Sequence, residues 1–252
     1  MKRLHILLLL IAIPVFYFMP VLFSSDGESN LSLEYWFPAL FSSEESAENH
    51  IKAGKAFLTE DNLWKARQSF HRATKFDPQN SEAKFLHGTT QLSLKYFEEA
   101  IRDFTECLQL DPSNGNAYYN RAISFAHLQN FSSAIRDFTE AIKLNPSDVA
   151  AYRDRGVAKQ RLGDKRNALA DFQKAVALQP NYVQAQVSLG YLLVQMGSVE
   201  EGLNHLNLAA SLDPQVRGNF ITDKTCGLAW AEETQRIIYR ACEKLRPEEN
   251  PL

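Results

Sequence analysis

The side chains best suited to chemistry, cysteine and histidine, are few and scattered in this sequence. The 252 residues include three cysteines and six histidines. Cys107, Cys226 and Cys242 form no Cys-x-x-Cys pair, and none stands beside a histidine at the spacing of metal ligands. An odd number of cysteines also gives no disulfide framework. The sequence therefore predicts no metal site, leaves the roles of Cys226 and Cys242 open, and makes Cys107 a small apolar core residue.

Motifs of nucleophilic, metal-assisted or nucleotide-dependent catalysis are absent from the sequence. It has no His-Glu-x-x-His pair, no P-loop, no Gly-x-Gly-x-x-Gly loop and no Gly-x-Ser-x-Gly elbow. Asp103 and Asp137 each follow an arginine, Arg102 and Arg136, in a seven-residue string that occurs twice, at 100–106 and at 134–140. These charged side chains therefore belong to the repeat pattern, and they are expected either to face solvent or to lie between repeats. We therefore predict no catalytic residue and no cofactor. The histidines are His5, His50, His71, His87, His127 and His205.

The overall charge is small. A formal net charge of −3 and 23% charged residues are ordinary for a globular protein. Because the chain has no basic excess, we predict no nucleic-acid partner.

A period of 34 residues organises the middle of the chain. Prolines recur at this interval, as Pro78, Pro112, Pro146, Pro180 and Pro214. In a frame that starts at Ala47, position 8 is Gly54, Gly88, Ala122, Gly156 and Gly190. Position 20 is Ala66, Ala100, Ala134, Ala168 and Gly202. Position 24 is Phe70, Phe104, Phe138, Phe172 and Leu206, and position 27 is Ala73, Cys107, Ala141, Ala175 and Ala209.

This register resembles the tetratricopeptide repeat (TPR) family, which has small residues at positions 8, 20 and 27, an aromatic residue at 24 and Pro near 32. The resemblance implies an all-α fold, a right-handed superhelical solenoid in which each repeat is a helix A, a turn and a helix B. One helix pair cannot bury its apolar face alone, whereas stacked pairs can. The five predicted repeats are 47–80, 81–114, 115–148, 149–182 and 183–216.

Local signals refine the helices within each repeat. Small residues at positions 8 and 20 allow the two helix backbones to approach closely, and the proline near position 32 ends helix B. In repeat 3 we predict helix A at about Asn116–His127 and helix B at about Ser132–Leu144. Asn80 and Ser113 are the predicted N-caps of the helices that follow them.

Residues 217–252 are predicted to be a C-terminal capping helix and tail. The helix is expected at about 226–246, because an apolar stripe recurs there at three- and four-residue steps. The stripe consists of Leu228, Ala231, Thr234, Ile238, Ala241 and Leu245.

The chain begins with a hydrophobic segment. Lys2 and Arg3 precede residues 4–23, which contain no acidic or basic residue apart from His5 and are long enough, at roughly 30 Å of helix, to cross a bilayer. We predict that residues 1–25 are a transmembrane signal-anchor. The alternative is a cleaved signal peptide, although the residue three before the best cleavage position would be large.

The charges that flank this segment predict its orientation. Residues 24–51 contain no Lys or Arg, so the positive-inside rule places the N-terminus in the cytoplasm and the repeats on the far side, which is periplasmic, lumenal or extracellular. A secreted protein is the alternative. Residues 26–46 are a predicted linker, whose Tyr35, Trp36 and Phe37 either rest at the membrane interface or pack on the first repeat.

The resemblance also implies a binding surface. In this family the A helices line a concave groove that holds an extended or helical peptide. The candidate groove residues are Phe85, Tyr119, Asn120, Ile123, Arg153, Asp154, Val187 and Tyr191. Some family members grip the C-terminal carboxylate of chaperones with a Lys/Asn clamp, but only Asn120 matches the five clamp positions. Chaperone tails are therefore not a predicted partner.

These features predict a non-catalytic, membrane-tethered adaptor that binds a protein or peptide and serves in complex assembly or secretion. A soluble secreted repeat protein is the first alternative. An enzyme with an unrecognised site is the second and the least favoured.

Overall fold

The structure is a computed structural model that describes residues 46–213. Within this range the chain forms ten α-helices and no strand. They are α1 (Ala47–Thr59), α2 (Leu63–Phe76), α3 (Ser81–Ser93), α4 (Phe97–Leu110), α5 (Gly115–His127), α6 (Phe131–Leu144), α7 (Val149–Arg161), α8 (Lys165–Leu178), α9 (Val183–Gln195) and α10 (Val199–Leu212). The predicted anchor at 1–25, nearly all of the linker and the capping helix at 217–252 lie outside the described residues.

The helices are arranged as consecutive pairs. Each odd-numbered helix, a helix A, packs against the helix B that follows it, and each helix B also packs against the next helix A. The A helices begin every 34 residues, at Ala47, Ser81, Gly115, Val149 and Val183. This order confirms the predicted all-α solenoid of helix pairs. In the third pair, both helices begin one residue earlier than the sequence predicted.

A phenylalanine on helix B fills the space between the helices of each of the first four pairs. Phe70, Phe104, Phe138 and Phe172 are all fully or almost fully buried. Position 8 of the facing helix A must be small, because a Cβ added at Gly156 would lie 2.6 Å from the Phe172 ring. Cys107 is fully buried in the core, as predicted, and burial followed by the nearby Asp111 raises the pKa of its thiol to about 11.

The fifth pair packs differently, which explains its atypical residues. A Cβ added at Gly202 would lie only 2.6 Å from the carbonyl oxygen of Gly190, so the backbones of α9 and α10 touch where Gly faces Gly. Because the two backbones lie this close, the space between them is filled by the smaller side chain of Leu206 instead of the phenylalanine of the other pairs.

Asparagine and aspartate side chains begin most of the helices. Asn80 accepts a hydrogen bond from the Ala83 amide at 2.9 Å, which confirms that predicted N-cap. The prediction for Ser113 was wrong, because Asn114 caps α5 by accepting from Ala117 N at 2.9 Å. Ser113 instead donates its amide and its hydroxyl to Asp111, the residue before the helix-ending proline, in an Asx turn.

Candidate peptide-binding groove

The candidate groove residues lie on four A helices that are neighbours in space. Although they are separated in sequence by the B helices, α3 contacts α5, α5 contacts α7, and α7 contacts α9. We call the side chains that these helices and α1 carry at positions 2, 5, 6, 9, 12 and 13 the groove face. The 34-residue register places every predicted site residue on this face.

Three of the predicted residues form one cluster at the centre of the groove face. The hydroxyl of Tyr119, on α5, donates a hydrogen bond of 2.6 Å to Asp154 Oδ2, on α7. The other carboxylate oxygen, Asp154 Oδ1, lies 2.8 Å from Arg153 Nη1. Tyr182, the N-cap residue of α9, also acts on Arg153 and helps to raise the pKa of its guanidinium. A connected set of polar side chains therefore joins α5 to α7, with Tyr182 beside it at the start of α9.

Burial and charge together set the protonation of this cluster. Burial raises the pKa of Asp154, while Arg153 and the Tyr119 hydroxyl oppose that rise. Burial, followed by the Asp154 charge, raises the pKa of Tyr119 far above its ordinary value, so its hydroxyl remains a donor. Burial acts to lower the pKa of Arg153, but Asp154 and Tyr182 outweigh it and the pKa rises. Arg153 and Asp154, when ionised, cancel each other's charge.

The apolar candidates pack on the core and leave part of each side chain exposed. Ile123 and Tyr119 lie against the cluster that surrounds Phe138, and the Tyr119 ring meets the Phe138 ring edge-on at 5.6 Å between centroids. The ring centroids of Phe85 and Phe104 are 6.0 Å apart. Val187 and Tyr191, both on α9, are half-buried. The groove face thus presents half-exposed aromatic and aliphatic side chains that rest on buried ones.

The last predicted residue, Asn120, has a weaker contact across the groove face. Its Nδ2 lies 3.4 Å from Thr89 Oγ1, on α3. A hydrogen bond of that length is weak, so the Asn120 amide can still donate to and accept from a ligand.

Sequence reasoning missed one bridge in the groove. Gln160 Nε2 donates to Gln195 Oε1 at 3.0 Å and so links α7 to α9. The two residues are separated by 35 positions, the same separation as between Tyr119 and Asp154. A search for polar pairs one repeat plus one residue apart on the groove face would have found both.

The ion pairs on this surface are made within it. Lys55 Nζ lies 2.7 Å from Glu82 Oε1 between α1 and α3, and Arg153 pairs with Asp154 on α7. Amides supply much of the remaining polar surface, among them the exposed side chains of Asn116 and Gln184. The centre of the groove face is therefore apolar and amide-rich, and its central ion pair is made between Arg153 and Asp154, whereas the buried Arg153 Nε has no hydrogen-bond partner among the described residues.

Two further findings concern only residues 46–213. No group of three or more His, Cys, Asp or Glu side chains in this range could hold a metal ion. No helix in this range is long and apolar enough to cross a membrane.

Known proteins resemble the chain in both repeat pattern and fold. Sequence models described as tetratricopeptide repeat match residues 81–114, 115–148 and 153–216, together more than half of the chain. No curated protein matches the chain in sequence.

Several solved structures share the fold. A crystal structure of MamA is 22% identical, covers 64% of this chain and 95% of its own, and has a TM-score of 0.61. MamA from Desulfovibrio magneticus RS-1, from its residue 41 to the end, is 18% identical, with coverages of 67% and 96% and a TM-score of 0.63. YrrB, described as a TPR protein with an unusual peptide-binding site, is 21% identical, with coverages of 71% and 92% and a TM-score of 0.60.

At these identities the structural likeness shows the fold alone, but the matches to the repeat models rest on the sequence itself. With ten described helices in consecutive pairs, and repeat models matched over residues 81–148 and 153–216, the chain belongs to the tetratricopeptide repeat family.

Proposed function

We propose that this protein is a non-catalytic scaffold whose groove face binds a segment of a partner polypeptide. The observation that carries the proposal is the cluster of Tyr119, Asp154 and Arg153, which holds side chains of neighbouring A helices in fixed positions. A surface organised before binding loses less conformational entropy when a ligand arrives. YrrB, which shares the fold, is itself described as peptide-binding.

The paired charges at the centre of the groove face, Arg153 and Asp154, favour a ligand segment that is uncharged there and carries aromatic or aliphatic side chains. A charged ligand group would have to compete with the 2.8 Å pair between Arg153 and Asp154, and an anionic group would meet the Asp154 carboxylate. Apolar ligand side chains can pack on Phe85, Ile123 and Val187. The ligand backbone can bond to amides such as Asn120.

A peptide selection tests this proposal. Random peptides of about twelve residues are displayed and selected on the full chain, a length chosen because an extended segment rises about 3.3 Å per residue and would span several A helices. We expect enriched peptides that lack charge at their centre and whose affinity changes less than about twofold between low and high salt, because no surface ion pair is formed.

Matched arginine substitutions locate the bound peptide. Val187→Arg places a charge on the groove face, whereas Ala170→Arg places the same charge at an exposed position of α8. We expect the first variant to lose the selected peptides and the second to keep them. Equal binding to both variants contradicts a groove site. Enrichment of strongly charged, salt-sensitive peptides would instead leave the groove standing and exclude the uncharged ligand class.

We further propose that residues 4–23 tether the protein to a membrane, with the repeats on the far side and a role in complex assembly or secretion. The basis is the sequence, namely an uncharged segment of membrane-spanning length behind Lys2 and Arg3. Carbonate extraction of membranes tests the tether, and release of the full-length chain contradicts it. A mature N-terminus near Ser25 would favour the secreted alternative.

A further inference from the structure

Two neighbouring junctions of the solenoid are fastened by the same three-residue polar contact. In the third pair, Arg121 of α5 makes a two-point ion pair with Asp137 of α6, at 2.6 and 2.9 Å. Its third contact, 3.1 Å long, is to Thr105 of α4, in the preceding pair. Asp137, predicted from its repeated string to be solvated or to lie between repeats, is buried and pairs with Arg121 rather than with its sequence neighbour Arg136.

The next junction repeats this arrangement 34 residues later. Arg155 of α7 pairs with Asp171 of α8 at 3.0 and 2.7 Å and contacts Thr139 of α6 at 3.2 Å. In the repeat frame the arginine is at position 7, the aspartate is at position 23, and the threonine is at position 25 of the preceding repeat. We call this trio the junction staple. Because it joins three helices, it fastens each helix pair to the one before it.

At the first junction, histidines occupy two of the three staple positions. His87 of α3 takes the place of Arg, Asp103 of α4 keeps the carboxylate, and His71 of α2 takes the place of Thr. His87 Nδ1 lies 2.8 Å from Asp103 Oδ2. The rings of His71 and His87 are 5.3 Å apart between centroids. The first junction thus keeps the three staple positions but replaces the two-point arginine pair with a single contact, and it places at one position a histidine, His71, that can gain a proton near neutral pH.

The surroundings of the first junction are poor in anions. His71 is faced by Arg67 and Lys75 from its own helix, by His87 from α3 and by Asp103 from α4. Burial first, and then the neighbouring His87, Lys75 and Arg67, lower the pKa of His71, against the opposing effect of Asp103.

His87 has only a poorly satisfied partner besides Asp103 and His71. Gln91 Nε2 lies 3.3 Å from its Nε2, and the buried Gln91 Oε1 has no hydrogen-bond partner among the described residues. A protonated His71 would therefore lie close to Arg67 and Lys75, and the one carboxylate that faces it, Asp103, is already in contact with His87.

We propose that the first helix pair, α1 and α2, is held to the rest of the solenoid in part by an acid-labile staple, so that protonation of His71 weakens the attachment while the arginine staples hold. The sign follows from the lowered pKa of His71. An unfolded or detached His71 titrates near its ordinary value of about 6.5. The attached state binds that proton less readily, so attachment weakens as the pH falls below about 6.5. Among the described residues α1 and α2 are the first pair of the array, and they pack against one neighbouring pair, α3 and α4.

Hydrogen exchange of the full chain at about pH 7.5 and about pH 5.5, corrected for intrinsic rates, tests the proposal on either side of the ordinary histidine pKa. We expect protection of α1 and α2 to fall at the lower pH relative to α5–α8 by up to about tenfold, the limit for one histidine that binds a proton at its ordinary pKa of about 6.5 only when detached. Equal behaviour of these two regions overturns the proposal.

Substitutions copied from the other junctions make the test specific. The double variant His87→Arg with His71→Thr rebuilds the arginine staple and should abolish the pH effect at α1 and α2. If this variant fails to fold, His71→Gln, which stays neutral, should reduce the acid effect, and His71→Lys should reproduce it at about pH 7.5.

The control is His205→Gln, because burial also lowers the pKa of His205 but this residue lies in α10 and should affect only the last described pair. An acid effect at α1 and α2 that survives His71→Gln unchanged contradicts the proposal.

Discussion

Tyr119 and Asp154 are separated by 35 residues, yet the tyrosine hydroxyl donates a 2.6 Å hydrogen bond to the aspartate. The bond crosses from one helix A to the next on the groove face. The bond therefore holds the tyrosine ring in place at the groove face, and it also links two neighbouring repeats. Arg153, ion-paired to the same carboxylate, extends this link toward α9 through Tyr182.

Removing the hydroxyl tests this link. Tyr119→Phe keeps the ring on Phe138 but leaves Asp154 Oδ2 without its donor. A hydrogen bond to a charged acceptor contributes about 1.5–3 kcal/mol, so we expect the free energy of unfolding to fall by about that amount. Urea denaturation followed by circular dichroism measures it.

Tyr152→Phe is the matched control. The Tyr152 ring holds the Arg155 guanidinium over its face, at 5.5 Å from the centroid, and this contact does not need the hydroxyl. We expect its stability to change by less than about 0.5 kcal/mol. Equal losses of unfolding free energy in the two variants would mean that the hydrogen bond from Tyr119 to Asp154 does not stabilise the fold.

The two arginine staples should differ in strength. Asp137 is 7% exposed and is paired with Arg121, so Arg121→Ala leaves a buried carboxylate without its cation, a loss of about 3–5 kcal/mol. Asp171 has a second cation, since Lys159 Nζ lies 2.7 Å from it as well. We therefore expect Arg155→Ala to cost at least about 1 kcal/mol less than Arg121→Ala in urea denaturation.

The second cation also provides the control for this comparison. In a Lys159→Met background, Arg155→Ala should cost as much as Arg121→Ala does in the wild-type chain, because Asp171 then loses both partners. If Arg155→Ala is already as damaging in the wild type, Lys159 does not compensate for the lost arginine.

The buried thiol of Cys107 makes stability depend on alkaline pH. Its pKa of about 11 in the folded chain exceeds the ordinary thiol value of about 8.5. The unfolded chain therefore loses this proton first, and stability should fall as the pH rises from about 8.5 toward 11, with no loss from this group below that window. Denaturation at about pH 8 and about pH 10 measures the change.

Cys107→Ala isolates the thiol from other groups that titrate in base. Alanine fills the same position in the other four repeats, so the variant should cost less than about 1 kcal/mol at neutral pH. Its stability should fall less between about pH 8 and about pH 10 than that of the wild type. An identical fall in both proteins contradicts the role of Cys107.

Periodicity predicted which residues share a position, and the structure decides which neighbour each one meets. The buried phenylalanines follow directly from the 34-residue register, and so do the helix boundaries of the third pair to within one residue. The partner of Asp137 does not, because it depends on how α5 is rotated against α6. The bridge from Gln160 to Gln195 depends in the same way on the offset between neighbouring A helices, which no single repeat encodes.

Local chemistry set a second limit on the sequence prediction. Ser113 and Asn114 are both good N-cap residues, and the choice between them was decided by Asp111, which engages Ser113 in the turn before the helix. The fifth repeat posed a similar problem, because the register alone does not explain why Gly202 and Leu206 replace the alanine and phenylalanine of the other repeats. The structure shows that the backbones of α9 and α10 meet at a glycine pair.

This glycine pair gives a prediction of opposite sign to the usual effect of replacing glycine in a helix. Gly202→Ala would place a methyl group 2.6 Å from Gly190 O and 2.7 Å from Val194 Cγ2, and the backbone carbonyl cannot move without shifting α9. Overpacking costs about 1–3 kcal/mol and should exceed the gain of about 1 kcal/mol that alanine brings to a helix interior. Gly115→Ala is the control, because its new methyl would meet Leu144 Cβ at an ordinary 3.5 Å, and we expect stability to rise by about 0.5 kcal/mol. Thermal and urea denaturation of the two variants compares them directly, and a Gly202→Ala protein as stable as Gly115→Ala would show that α9 and α10 do not pack through this backbone contact.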